Sequence, residues 1–139
     1  MTFKNIITLL FIVSTSLIYG QTDLVPAGGP IHIEGLIVGA ENQQITLVNK
    51  NLGGLKSPIA FATADAEGKF VMDTTIAVRD YYFLRTENGQ LLNLVLYPKD
   101  QVTIYGDAKD LMRMTNVIGS EHSVLLNQFL IEHQNFKML

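Results

Sequence analysis

The 139-residue chain contains no cysteine, and that absence closes several routes at once. It excludes disulfide staples, thiolate metal ligands, thiol nucleophiles and a lipid-modified N-terminal cysteine. Basic residues are few: 10 Lys and Arg stand against 13 Asp and Glu, a formal net charge of −3. Phosphate-backbone partners call for clustered Lys and Arg, so no nucleic-acid partner is expected. No apolar run reaches the roughly 20 residues that a membrane-spanning helix requires. What remains, 47% hydrophobic and 17% charged residues, is ordinary composition for one globular domain.

The first twenty residues read as a secretory signal. Lys4 supplies a single positive charge, and Ile6 to Tyr19 is apolar apart from Thr8 and the Ser14-Thr15-Ser16 step. Gly20-Gln21 then offers a small residue for cleavage. Removal of residues 1–20 leaves nine Lys and Arg against 13 Asp and Glu, a net of −4. The chain is therefore expected to be exported to the periplasm or cell envelope, with no stable membrane span after cleavage. Residues 21–30, with the run Asp23-Leu-Val-Pro-Ala-Gly-Gly-Pro30, read as a flexible lead-in.

Residues 31–118 carry the strand signal. Ile31, Ile33, Gly35 and Ile37 share one face of an alternating run that ends at Val38. Further strands are expected over 44–49, 58–63, 69–73, 80–86, 91–97 and 101–105, with a last edge strand within 114–118. Lys50 to Lys56 reads as a loop. Asp65-Ala-Glu-Gly68 and Asn88-Gly89 are hairpin turns, and Pro98-Lys-Asp100 turns the chain again. Leu91 to Tyr97 is apolar except for Asn93, which predicts a central strand covered on both faces. Seven or eight short strands punctuated this way indicate an all-β antiparallel sandwich. Without intervening helical periodicity, a parallel α/β fold is not expected.

Residues 119–139 change period. Ser120 is placed to cap a helix with Glu121 in its first turn, and helical spacing runs to about Asn135. At 100° per residue, Leu125, Leu126, Phe129, Leu130 and Phe136 fall on one broad face, and Val124 and Ile131 fall nearly opposite. A terminal helix packed only on its own sandwich should be polar on the far side. Isolated exposed apolar residues are individually normal. The sharper expectation is a helix clasped between the sandwich and a partner, with Val124 and Ile131 facing the partner. The apolar ending Phe136-Lys-Met-Leu139 fits that expectation.

Reactive constellations are sparse. His32 is out of phase with the Ile31/Ile33 face and reads as a solvated strand residue. His122 and His133 lie eleven residues apart, about 16 Å along a helix, too far to share a metal ion. Asp65-Ala-Glu67-Gly68 loosely resembles an acidic calcium loop but lacks its regular acidic positions and closing glutamate. Glu34, Asp73 and Asp80 sit at strand ends or on polar faces, not as paired acids in a cleft. Ser57, Ser120 and Ser123 lie in no Gly-x-Ser-x-Gly setting. Gly53-Gly54 is followed by no helix and no Lys-Ser/Thr, so a phosphate loop is not supported. Tyr81 and Phe83 share one strand face, either as core or as a platform for sugar stacking. No catalytic residue, metal site or cofactor is expected, and the chain by itself is not expected to be an enzyme.

Four stretches carry a resemblance: Pro58-Ile59, Thr63-Ala-Asp-Ala-Glu-Gly-Lys-Phe70, Leu94 to Asp107, and Val117-Ile-Gly-Ser-Glu-His-Ser-Val-Leu-Leu126. In that order and spacing the chain resembles a domain of unknown function. That domain precedes the thioredoxin-like domain in exported thiol–disulfide oxidoreductases of Bacteroidetes-type bacteria. The resemblance runs from about Ile31 to Phe136, and the Gly-Ser-Glu-x-Ser-x-Leu-Leu step into a helix is its most telling part. Lys99 departs from it, standing where the family usually has Gly in a Pro-Gly-Asp turn. In the family, redox chemistry belongs to a Cys-x-x-Cys in the thioredoxin-like domain, so the resemblance carries over no catalytic residue. It implies an accessory module whose C-terminal helix contacts a thioredoxin-like domain or another envelope protein. The alternative is a small β-sandwich binding a peptide or glycan. A concave site with convergent polar groups would mark the binding module, and a flat apolar patch around Val124 and Ile131 the packing module.

Overall fold

The computed structural model describes residues 28–50 and 58–138. The expected leader over 1–20, most of the lead-in, Gly53-Gly54 and Ser57 lie outside the described residues. Eight strands precede one helix: β1 (Gly29–Val38), β2 (Gln44–Asn49), β3 (Pro58–Thr63), β4 (Lys69–Ile76), β5 (Asp80–Arg85), β6 (Leu91–Leu96), β7 (Gln101–Asp107), β8 (Thr115–Ile118) and α1 (Glu121–Lys137). They form two four-stranded sheets, ordered β4-β1-β7-β8 and β3-β2-β5-β6. The sandwich with a C-terminal helix is thus the observed fold. One neighbour pair departs from the antiparallel pattern, because β7 runs parallel to β1 from His32↔Gln101 to Val38↔Asp107.

Alternation builds the core between the sheets. Ile31, Ile33 and Ile37 of β1 and Val102 and Ile104 of β7 point inward from one sheet. Ile45 and Leu47 of β2, Leu84 of β5, and Leu92, Leu94 and Leu96 of β6 meet them from the other. Each such side chain contributes about 1.5–3 kcal/mol by leaving water.

Two turns share one construction. Gly68 N–H donates to the Asp65 carbonyl and Asp65 N–H to the Lys69 carbonyl, with Gly68 at φ 87°. Gly89 repeats this with Thr86 and Gln90 at φ 85°. These are three-residue loops closed by a left-handed glycine, the second of which joins the β5–β6 hairpin. The Asp65 carboxylate accepts the N–H groups of Glu67 at 2.8 Å and Lys69 at 3.0 Å. The Lys69 N–H, then that of Glu67, hold its pKa below the ordinary carboxylate range. The first turn is not the hairpin that its sequence suggested: it carries the chain from β3 in one sheet to β4 in the other, closing one side of the sandwich.

Helix α1 closes the other side, contacting both β6 and β8, the edge strands of their sheets. This corrects the expectation of a central strand over 91–97. β6 is an edge strand. It reads as apolar apart from Asn93 because the core covers one face and α1 packs along its free edge and over part of the other.

Candidate functional site

Tyr82 and Leu84 point into the core, so their alternating neighbours Tyr81 and Phe83 project from the outer face of the β3-β2-β5-β6 sheet. Register places Val95 of β6 opposite Tyr81 and Asn93 opposite Phe83. Arg79 precedes β5 and Tyr97 follows β6, each two residues beyond an outward side chain. Helix α1 lies alongside, adding His122, Leu126 and Leu130. The result is a cleft of about 460 Å³ lined by Arg79, Tyr81, Val95, Tyr97, His122 and Leu126. A smaller hollow of about 120 Å³ adjoins it at Tyr81 and Leu126 and extends to Lys50, Phe83 and Leu130.

Polar groups converge in the cleft. The Arg79 guanidinium lies 5.6 Å from the Tyr97 ring centroid, and its Nη1 donates to the Tyr97 hydroxyl at 3.4 Å. That hydroxyl is also 3.5 Å from His122 Nε2, and the two rings sit 5.3 Å apart, tilted by 46°. At the other end the Lys50 ammonium lies 5.9 Å from the Phe83 ring centroid. Asp80 borders the cleft, but its carboxylate accepts the Tyr81 N–H at 2.8 Å and the Asn49 amide at 3.1 Å.

Helix α1 is rotated from the sequence expectation, with Leu126 and Leu130 beside the sandwich as expected but Leu125, Phe129 and Phe136 turned away. Val124 packs against the core, and with Ile131 it lines a cavity of about 160 Å³ beside Leu92 and Val117. The outward apolar side chains are Leu125, Phe129 and Phe136, exposed at 55%, 63% and 76%. The buried helix residues are Ser123 and Asn127. The physical reason is the character of the docking surface. β6 turns backbone groups of Asn93 and Val95 away from β5, and side chains of α1 and its N-terminal Ser120 bond both groups of Val95 and the Asn93 carbonyl. Ser120 Oγ donates to the Val95 carbonyl at 3.0 Å, and Asn127 Nδ2 donates to the Asn93 carbonyl at 2.7 Å. Ser120 therefore does not cap the helix with its side chain, as expected from sequence, because its hydroxyl is spent on the strand.

The remaining histidines are separate from the cleft. His32 Nδ1 pairs with Asp73 across the β1–β4 ladder at 2.7 Å, and its Nε2 lies 3.5 Å from Glu34. His133 stacks on Phe129 with centroids 6.1 Å apart. Among the described residues no group of three or more His, Asp or Glu side chains is arranged to hold a metal ion. Among them, too, no helix is long and apolar enough to cross a membrane.

Sequence reasoning placed Tyr81 and Phe83 on one face but missed Arg79, Tyr97 and His122. Strand parity was a usable signal for the first two, since 79, 81 and 83 share a parity, as do 93, 95 and 97. Nothing local could have brought His122 to Tyr97, which depends on how α1 docks. The chain matches no protein-family model, no curated protein and no solved structure.

Proposed function

We propose that the chain is an exported, non-catalytic accessory module that binds a thioredoxin-like domain through the outward face of α1. One observation carries the reading: Leu125, Phe129 and Phe136 point away from the sandwich while Ser123 and Asn127 point toward it. A helix serving only its own domain buries its apolar stripe and shows water its polar side. Here the docked side is polar at its centre and the exposed side carries two phenylalanines. Clustered exposed apolar side chains of this kind mark protein contact surfaces. The leader-like pattern over residues 1–20 supports export, and the resemblance running through Val117 to Leu126 supports a thioredoxin-like domain as partner.

The test is amide hydrogen exchange across α1, with and without a purified thioredoxin-like domain from an exported thiol–disulfide oxidoreductase. Binding slows exchange over 125–138, and Phe129→Asp combined with Phe136→Asp removes the slowing while leaving the thermal midpoint in place. Unchanged exchange in the wild-type chain at saturating partner overturns the reading.

A further inference from the structure

We propose that the cleft between β5, β6 and α1 is a binding site for acidic oligosaccharides, with a uronate carboxylate on Arg79 and a pyranose face on Tyr81. This rests on the cleft alone and is independent of the outward helix face.

The side chains present define the ligand. Tyr81 is 50% exposed at the junction of the cleft and its smaller extension. An aromatic face so placed offers apolar contact to the C–H side of a sugar ring, with hydroxyl groups of Tyr81 and Tyr97 to bond the ring's edge. Arg79 makes no ion pair among the described residues. Its contacts with Tyr97 hold a planar fork that matches a carboxylate, the geometry in which arginine binds anions best. Asp80, the one carboxylate at the rim, is turned onto Asn49 and the Tyr81 N–H. Lys50 stands at the far end over Phe83, where a second acidic unit along a chain would meet it.

An extended peptide is a poorer fit. Peptide capture by a sandwich usually adds a strand to a free sheet edge. The edge beside this cleft is β6, and its outward Val95 N–H, Val95 carbonyl and Asn93 carbonyl are already taken by Ser123, Ser120 and Asn127. What remains open is a cleft of side chains, suited to rings and carboxylates.

Isothermal titration with tetrasaccharides of galacturonate, mannuronate and guluronate tests the proposal, alongside maltotetraose and tetraglutamate. At least one uronate tetramer is expected to bind with Kd near or below about 1 mM. Maltotetraose and tetraglutamate are expected to bind at least about tenfold more weakly. Arg79→Gln and Tyr81→Ala should each weaken uronate binding about tenfold or more. Phe61→Ala, on the same sheet face two strands away, should leave it unchanged. Absence of binding by all three uronates overturns the proposal. Equal binding of maltotetraose removes the role of charge, and equal binding of tetraglutamate makes the cleft a general anion site; either result rejects the assignment. Wild-type affinity in Arg79→Gln places any binding elsewhere and rejects it as well.

Discussion

The backbone amide of Val95 donates to the hydroxyl of Ser123 at 2.8 Å, joining an edge strand to the helix that follows it by more than twenty residues. Val95 N–H and C=O point away from β5, and an edge strand leaves such groups to water or to another chain. Here two serines take both. Ser120 Oγ lies 3.0 Å from the Val95 carbonyl and 2.7 Å from Ser123 Oγ. One consistent proton arrangement runs Val95 N–H to Ser123, Ser123 O–H to Ser120, and Ser120 O–H back to Val95 C=O. The Ser-x-x-Ser spacing at the start of α1 thus binds both backbone groups of one β6 residue.

Ser123→Ala leaves the buried Val95 N–H without an acceptor, and such a loss costs about 1–3 kcal/mol. Ser120→Ala should cost less, because Ser123 Oγ is itself 3.2 Å from the Val95 carbonyl and its proton can turn there. Urea denaturation should rank the midpoints wild type, then Ser120→Ala, then Ser123→Ala. Exchange of the Val95 amide should accelerate in Ser123→Ala beyond the global loss of stability. The reverse order of the two variants would show that the ring of bonds is not what holds α1 to β6.

The same two serines explain where the sequence was legible and where it was not. Strands and turns could be read because each depends on neighbours: alternation at Ile31, Ile33 and Ile37, and glycine at Gly68 and Gly89 where φ is positive. The helix could be located for the same reason. Its orientation could not. Hydrophobic periodicity assumes that a helix docks by its apolar stripe, and so assigned Leu125, Leu126, Phe129, Leu130 and Phe136 to the sandwich, of which only Leu126 and Leu130 lie beside it. α1 docks at its centre on a strand edge, whose partners are hydroxyls and amides, and the apolar stripe is rotated partly outward. The cleft was half legible. Tyr81 and Phe83 came from one strand, whereas Arg79, Tyr97 and His122 meet only because β5, β6 and α1 are brought together.

Lys99 occupies a backbone conformation that disfavours it. Asp100 N–H donates to the Tyr97 carbonyl at 3.1 Å, closing a four-residue turn with Pro98 second and Lys99 third at φ 76°. This is the type II arrangement, whose third position favours glycine. Placing an L-residue there costs about 1–2 kcal/mol, partly offset by the lower chain entropy of lysine when unfolded. Lys99→Gly is therefore expected to stabilise the fold by about 0.5 kcal/mol. Lys99→Asn should fall between glycine and lysine, and Lys99→Val below both. Thermal midpoints for the series give the check, and a destabilised glycine variant would contradict the turn assignment.

Gly35 and Gly89 are expected to respond differently to alanine. Gly35 sits in the middle of β1, opposite Ile104 in the parallel ladder and Phe70 in the antiparallel one. A Cβ at position 35 would run into the Ile104 carbonyl, which the β7 ladder holds in place. Gly35→Ala should cost about 3 kcal/mol through forced separation of the strands. At Gly89 nothing lies within 4 Å of an added Cβ, and only its φ of 85° resists substitution. Gly89→Ala should cost about 1 kcal/mol. Equal losses in denaturant titrations would mean that close approach of β1 to β7 is not the reason for glycine at 35.

His32 makes stability depend on pH in a calculable direction. Its hydrogen bond to Asp73 raises the imidazole pKa, a contact with Glu34 adds to this, and desolvation opposes it only in part. The β7 residue paired with His32 is the uncharged Gln101, so no cation opposes the charged form from that side. A pKa raised on folding contributes stability that is fully present below the unfolded value, about 6.5 for histidine. That contribution is lost as pH rises through the folded value. Asp73→Asn removes the main cause, so it should lower the thermal midpoint more at about pH 5.5 than at about pH 8.5. The two side chains are 37% and 72% exposed, so the effect at acid pH should stay under about 1 kcal/mol and shrink further in salt. A midpoint difference that grows toward alkaline pH would reverse the sign and rule out the His32–Asp73 pair as its source.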